Sequence, residues 1–192
     1  GAPLVDGAWQ RAFVYATMFG FVGNYIFGVS TRAVVGFMNL RDGYWIPRWS
    51  ALPLLNVGTA IFVGSRLSSG SPELTGAGLL LLGTGLASFA ISLRVYEPPT
   101  KQRAFLVPAY VKYTWFIKTA YAWLLVGALL IVLTGIELVA SVDIFPALRA
   151  SPIIHVVALG FVTMVIMGVS IRMVPLFEGS VVPYSRAMDV AF

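Results

Sequence analysis

YTWFIKTAYAWLLVGALLIVLTGIEL, residues Tyr113–Leu138, carries only two charges, Lys118 near its start and Glu137 near its end. A bilayer core of about 30 Å takes roughly 20 helical residues to cross, so this run predicts a transmembrane helix. The long stem of Lys118 lets its ammonium snorkel to the interface. Four further runs read the same way: Phe13–Met38, Trp49–Leu67, Leu74–Tyr96 and Ile153–Phe177. Pro53 then falls in the first turn of the second helix, where a missing N–H is tolerated, and Pro152 marks the start of the fifth. The expected fold class is an all-α integral membrane protein of about five transmembrane helices.

Composition agrees. The chain is 58% hydrophobic and 11% charged, against about 25% charged residues in a soluble domain, and its mean hydropathy is +0.86. So apolar a chain cannot cover itself with polar surface in water, whereas helices satisfy their own backbone in lipid. A water-soluble enzyme is excluded. The absence of Cys excludes disulfides, thiolate metal sites and iron–sulfur clusters within this stretch.

Breaker-rich connections separate the runs: NLRDGYWIPR, SSGSPE and EPPTKQRAF. SVDIFPALRAS, before the fifth run, has room for a short interfacial helix. Tyr44, Trp45, Trp49, Tyr110 and Trp115 fall at predicted helix ends, as an aromatic belt requires. One face collects Arg32, Arg41, Arg48, Arg94, Lys101, Arg103, Lys112, Lys118, Arg172 and Arg186; the other holds Arg11, Arg66 and Arg149. The positive-inside rule puts the first face in the cytoplasm, leaving the N-terminus outside and the C-terminus inside. This distribution explains the net charge of +5 without a nucleic-acid partner; the lipid bilayer is the expected one.

The first and fifth runs resemble each other at an offset of 140 residues. GFVGNYIFGVSTRAVVGF (Gly20–Phe37) lies over GFVTMVIMGVSIRMVPLF (Gly160–Phe177) with ten of 18 positions identical, G-V-S-x-R among them. A four-helix repeat over residues 1–145 is therefore expected, followed by the start of a second over 146–192. Both copies enter the membrane from the same side, so the repeat is parallel. The start, GAPLVDGAWQR, shows neither a signal-peptide pattern nor an initiator Met, and the second copy is incomplete. The expectation is a segment of a longer protein; three such units would make a twelve-helix bundle.

IIHVVALGFVTMVIMGVSIRMVPLF resembles the His-containing signature helix of the NnrS-like family, whose relatives lie in the haem–copper oxidase subunit I superfamily. IKTAYAWLLVGALL resembles the helix that precedes that signature. The resemblance covers most of the chain in pattern, but recognisable words only in the first, fourth and fifth helices. It implies a twelve-helix architecture in three four-helix arcs, a prokaryotic inner membrane, haem b or copper as cofactor, and a role in electron transfer or nitric oxide handling. The alternative is a non-catalytic subunit packing in a larger respiratory or photosynthetic complex.

His155, the only histidine, is the candidate haem-iron or copper ligand; the other reading is a hydrated histidine at the membrane interface. Its counterpart at the repeat offset is Tyr15, so a complete site needs ligands from outside this segment. Arg32 and Arg172 recur in the repeat. From His155 to Arg172 is 17 residues, about 25 Å at 1.5 Å per residue, so Arg172 belongs to the opposite lipid interface, as does Arg32. Gly20, Asn24 and Gly28, echoed by Gly160 and Gly168, form a small face suited to helix packing, and Gly76, Gly78, Gly83 and Gly85 read likewise. Nucleophile, zinc and phosphate-loop patterns are missing from the sequence. The acidic residues fall almost entirely in predicted loops or at helix ends, which disfavours a coupled ion pump or transporter.

Overall fold

The computed structural model describes residues 7–99, 108–143 and 151–178. Among them there is no strand, and five helices are long and apolar enough to cross a membrane. Helix α1 spans Gly7–Met38, α2 Trp45–Leu67, α3 Pro72–Ser92 and α4 Pro108–Ala140. Helix α5 is continuous through Ser151–His155, Val156–Thr163 and Met164–Glu178. The proposed interfacial helix before α5 lies outside the described residues, as do Lys101, Arg103, Arg149 and Arg186.

Successive helices pack in chain order, α1 on α2, α2 on α3, α3 on α4 and α4 on α5. An aromatic column crosses the bundle. Phe27 of α1 stacks on Phe89 of α3 at 3.4 Å between centroids, Phe89 meets Tyr121 of α4 at 6.2 Å, and Tyr121 takes Phe161 of α5 edge-on at 5.5 Å. Two buried hydroxyls beside it, Ser30 and Tyr121, approach each other short of good hydrogen-bond geometry.

Small residues let the backbones touch. A Cβ on Gly58 would lie 2.4 Å from Leu82 N, and one on Gly78 2.7 Å from Phe62 N. Gly78 and Gly85 face α2, whereas Gly76 and Gly83 face α4. Alternate glycines of the Gly-rich helix thus serve two different neighbours. Without a hydrophobic drive between helices in lipid, such close van der Waals approach is a main source of association.

The helix ends differ from the sequence expectation in an informative way. Helix α2 begins at Trp45 rather than Trp49, so Pro53 stands inside the helix and not in its first turn; it leaves the Trp49 carbonyl without its usual partner. Helix α3 starts at Pro72, capped by Ser71 Oγ accepting from Leu74 N at 3.3 Å, and stops at Ser92 rather than Tyr96. Beyond it Arg94 turns left-handed (φ 54°), and its guanidinium binds Glu97 through Nε at 2.7 Å and Nη2 at 2.5 Å. Tyr44 OH donates to Glu97 at 3.1 Å and Tyr44 N to Ser92 O at 3.2 Å. This clamp ties the α1–α2 connection to the end of α3, and the Arg94 guanidinium holds the Glu97 carboxyl below its ordinary range. Asn39, Ser69 and Ser141, after α1, α2 and α4, are left-handed as well.

Helices α1 and α5 share one departure from α geometry. Each contains an eight-residue π-helical run, Ala16–Gly23 in α1 and Val156–Thr163 in α5. The two runs stand 140 residues apart. Runs of this type are rare and frequent at functional sites.

Candidate functional site

Two hollows lie towards the end of the bundle where α1 begins. The first is a chamber of about 290 Å³ between α1, α2, α3 and α4, lined by Arg11, Tyr15, Phe62, Arg66, Thr75, Leu79, Thr134, Glu137 and Leu138. Tyr15 is buried and its ring stacks on Phe62 at 4.3 Å. Glu137 is 4% exposed. This corrects the expectation that carboxylates are missing from the helical interior: Glu137 sits near the end of the apolar run, but its side chain turns inward, where a hydropathy reading cannot follow it. Among the described residues Arg66 Nε is buried without a hydrogen-bond partner. The threonine hydroxyls donate locally, Thr134 to Leu130 O at 2.9 Å and Thr75 to Ser71 O at 3.1 Å.

The second hollow is a shallow groove of about 380 Å³ on the outside of α4 and α5, lined by Trp123, His155, Val156, Leu159, Gly160 and Met164. His155 is exposed there, at the start of the π-helical run. Gly160 forms its floor, since an added Cβ would stand 2.7 Å from Trp123 Cγ. Among the described residues no group of three or more His, Asp or Glu could hold a metal ion.

The remaining sequence-derived residues separate. Asn24 and Asn56 exchange reciprocal side-chain hydrogen bonds of 2.9 and 3.0 Å between α1 and α2, and Gly20 lies beside Thr59 across the same contact. Gly28 faces open space, because eight residues of helix, part of them π-helical, carry it off the contact face. Gly168 packs on Ile117 and Phe116 of α4. Arg32 is exposed in the second half of α1. Arg172 lies on α5, with its side chain outside the described residues. Trp45, Trp49, Tyr44 and Trp115 are exposed at the end opposite the chamber; the Tyr110 side chain is not among those described.

A third hollow, about 210 Å³, separates α1 from α5. It is lined by Tyr25, Ile26, Val29 and Ser30 and by their counterparts Val165, Ile166, Val169 and Ser170, with Val34. The two helices therefore stand at the same level of the bundle. Comparison of the chain with protein-family models, curated proteins and solved structures finds no match.

Proposed function

We propose that this chain is part of a haem-binding, multi-pass protein of a prokaryotic inner membrane, with His155 as one axial ligand. The observation that carries the reading is the relation of His155 to Tyr15. Tyr15 lines the chamber inside the first four helices, and His155 is its counterpart 140 residues on. In a second four-helix unit built like the first, His155 would line the corresponding chamber. The π-helical runs at the same offset support the parallel repeat, and three units give the twelve-helix bundle. The charge distribution supports a cytoplasmic C-terminus.

The groove suits one face of a porphyrin. Trp123, Val156, Leu159 and Met164 offer an apolar wall, Gly160 a small residue beside it, and the imidazole a ring nitrogen for iron. These residues make half a site, and the second ligand comes from outside them. When bound, haem would supply one-electron chemistry or a ligand site for nitric oxide. What this chain contributes is one nitrogen and an apolar surround, so no step is assigned to it. The other reading, an accessory subunit of a respiratory or photosynthetic complex, draws on the exposed aromatic face of α1 formed by Phe13, Phe21 and Tyr25.

The test is a reduced-minus-oxidised visible spectrum of the purified protein and of His155→Ala. Sharp haem bands that weaken in the variant are expected. Bands unchanged by the substitution would move the ligand elsewhere. A colourless wild-type protein that co-purifies with stable partners would replace the haem reading with the accessory one.

A further inference from the structure

The chamber at the start of α1 has a chemistry that the haem reading does not use. Four helices surround it, and among the described residues its charged lining is Arg11, Arg66 and Glu137. Two like charges on one small hollow repel each other, and the half-buried Arg66 loses hydration there as well. The neighbouring hydroxyls do not offset this. Thr134 donates to its own helix, and the two protons of the Ser65–Thr75 pair are shared among Phe62 O, Ser71 O and each other. Among the described residues, the lining groups that can donate to a guest are the two guanidiniums and the Tyr15 phenol, and Arg66 Nε is buried with no partner. A guanidinium fork matches the spacing of phosphoryl oxygens.

We propose that this chamber binds a phosphoryl oxyanion, held by Arg11 and Arg66 with Tyr15 beside them. Phe62, Leu79 and Leu138 supply an apolar wall, which suits a group delivered with a hydrocarbon or ester part. Arg66 stands in the last turn of α2 and Arg11 in the second turn of α1, the depth at which phosphodiester headgroups lie. The anion has two sources, a lipid headgroup or free phosphate.

The experiment uses the purified protein in phosphate-free maltoside detergent. It is titrated with sodium phosphate at ionic strength fixed by sodium chloride, and in parallel with phosphatidylglycerol in the micelles, while thermal unfolding is followed by tryptophan fluorescence. At least one probe is expected to raise Tm saturably by roughly 3–5 °C. Arg11→Gln and Arg66→Gln should each raise the half-saturating concentration by about tenfold, Arg66→Lys by less, and Arg41→Gln at the opposite end should leave it unchanged. A response to phosphate alone identifies a free anion; a response to phosphatidylglycerol alone identifies a headgroup. Should Arg66→Gln fail to fold, the exposed Arg11 carries the test. No saturable response to either probe, or a response unchanged in Arg11→Gln, overturns the proposal.

Discussion

Helices α1 and α5 are built from the same words and bury opposite faces. Phe21 is 72% exposed and Phe161, the same residue 140 positions on, is 2% exposed. Tyr15, Phe19 and Ile26 of α1 are buried against α2 and α3, while His155, Leu159 and Ile166 at the matching places are exposed. Conversely, Val157, Phe161 and Val165 are buried against α4, and Thr17, Phe21 and Tyr25 are exposed. A membrane helix that is apolar all round does not state which face its neighbours will cover. Its covered face is set by who stands beside it, and here α1 has α2 and α3 whereas α5 has α4. Each helix leaves open the face that the other has covered.

The largest effect expected from breaking this contrast is at the paired phenylalanines. Phe161→Ala removes a ring packed edge-on against Tyr121 and leaves a cavity. The loss should fall below the roughly 3–5 kcal/mol of a water-soluble core, because in lipid the packing term acts without the transfer term. Phe21→Ala should stay within about 0.5 kcal/mol. Unfolding by SDS in mixed micelles reads both, and equal losses would show that the α1 face is covered in the protein as purified. A smaller contrast is expected at the paired glycines. A Cβ at Gly168 would stand 2.8 Å from Ile117 Cδ1, whereas one at Gly28 meets nothing within 4 Å. Gly168→Ala should cost about 1–3 kcal/mol by overpacking, and Gly28→Ala should be neutral or gain a few tenths through helix propensity. A neutral Gly168→Ala would mean that α5 sits further from α4 than described.

The five helices were legible because apolar length is a local property of the chain, and Tyr113–Leu138 declares itself without its neighbours. Helix ends were less so. Pro47 and Pro53 both resemble starting signals, and the choice between them depends on Tyr44 being held by Ser92, the last residue of another helix, and by Glu97 just beyond it. The Gly-rich helix announced close packing, but not that Gly78 and Gly85 serve one neighbour and Gly76 and Gly83 the other. His155 was visible as a lone imidazole. The chamber was not visible, because Arg11, Arg66 and Glu137 each read alone as a charge near a helix end, and only the bundle gathers them. A clue was present in Glu137, a carboxylate at the edge of a long apolar run with a basic residue near the same end of two other helices.

The smallest effect expected from the comparison lies at Asn24, whose counterpart in α5 is Met164. In α1 the amide spans the contact to Asn56 in both directions and also donates to Gly20 O at 2.5 Å; Met164 instead borders the open groove beside His155. Converting α1 to the α5 residue, Asn24→Met, removes both interhelical bonds and leaves Asn56 with its bond to Leu52 O at 2.9 Å. Interhelical hydrogen bonds in membranes average about 0.6 kcal/mol and reach about 1.7, so a loss of roughly 1 kcal/mol is expected. Asn56→Leu should cost about the same, and the double variant little more than either alone, because one reciprocal pair is counted twice. Strict additivity in this cycle would mean that the two amides do not meet. The α1–α2 contact would then rest on packing alone, with Tyr15 on Phe62, as the α4–α5 contact rests on Phe161 against Tyr121 and on the close approach at Gly160 and Gly168.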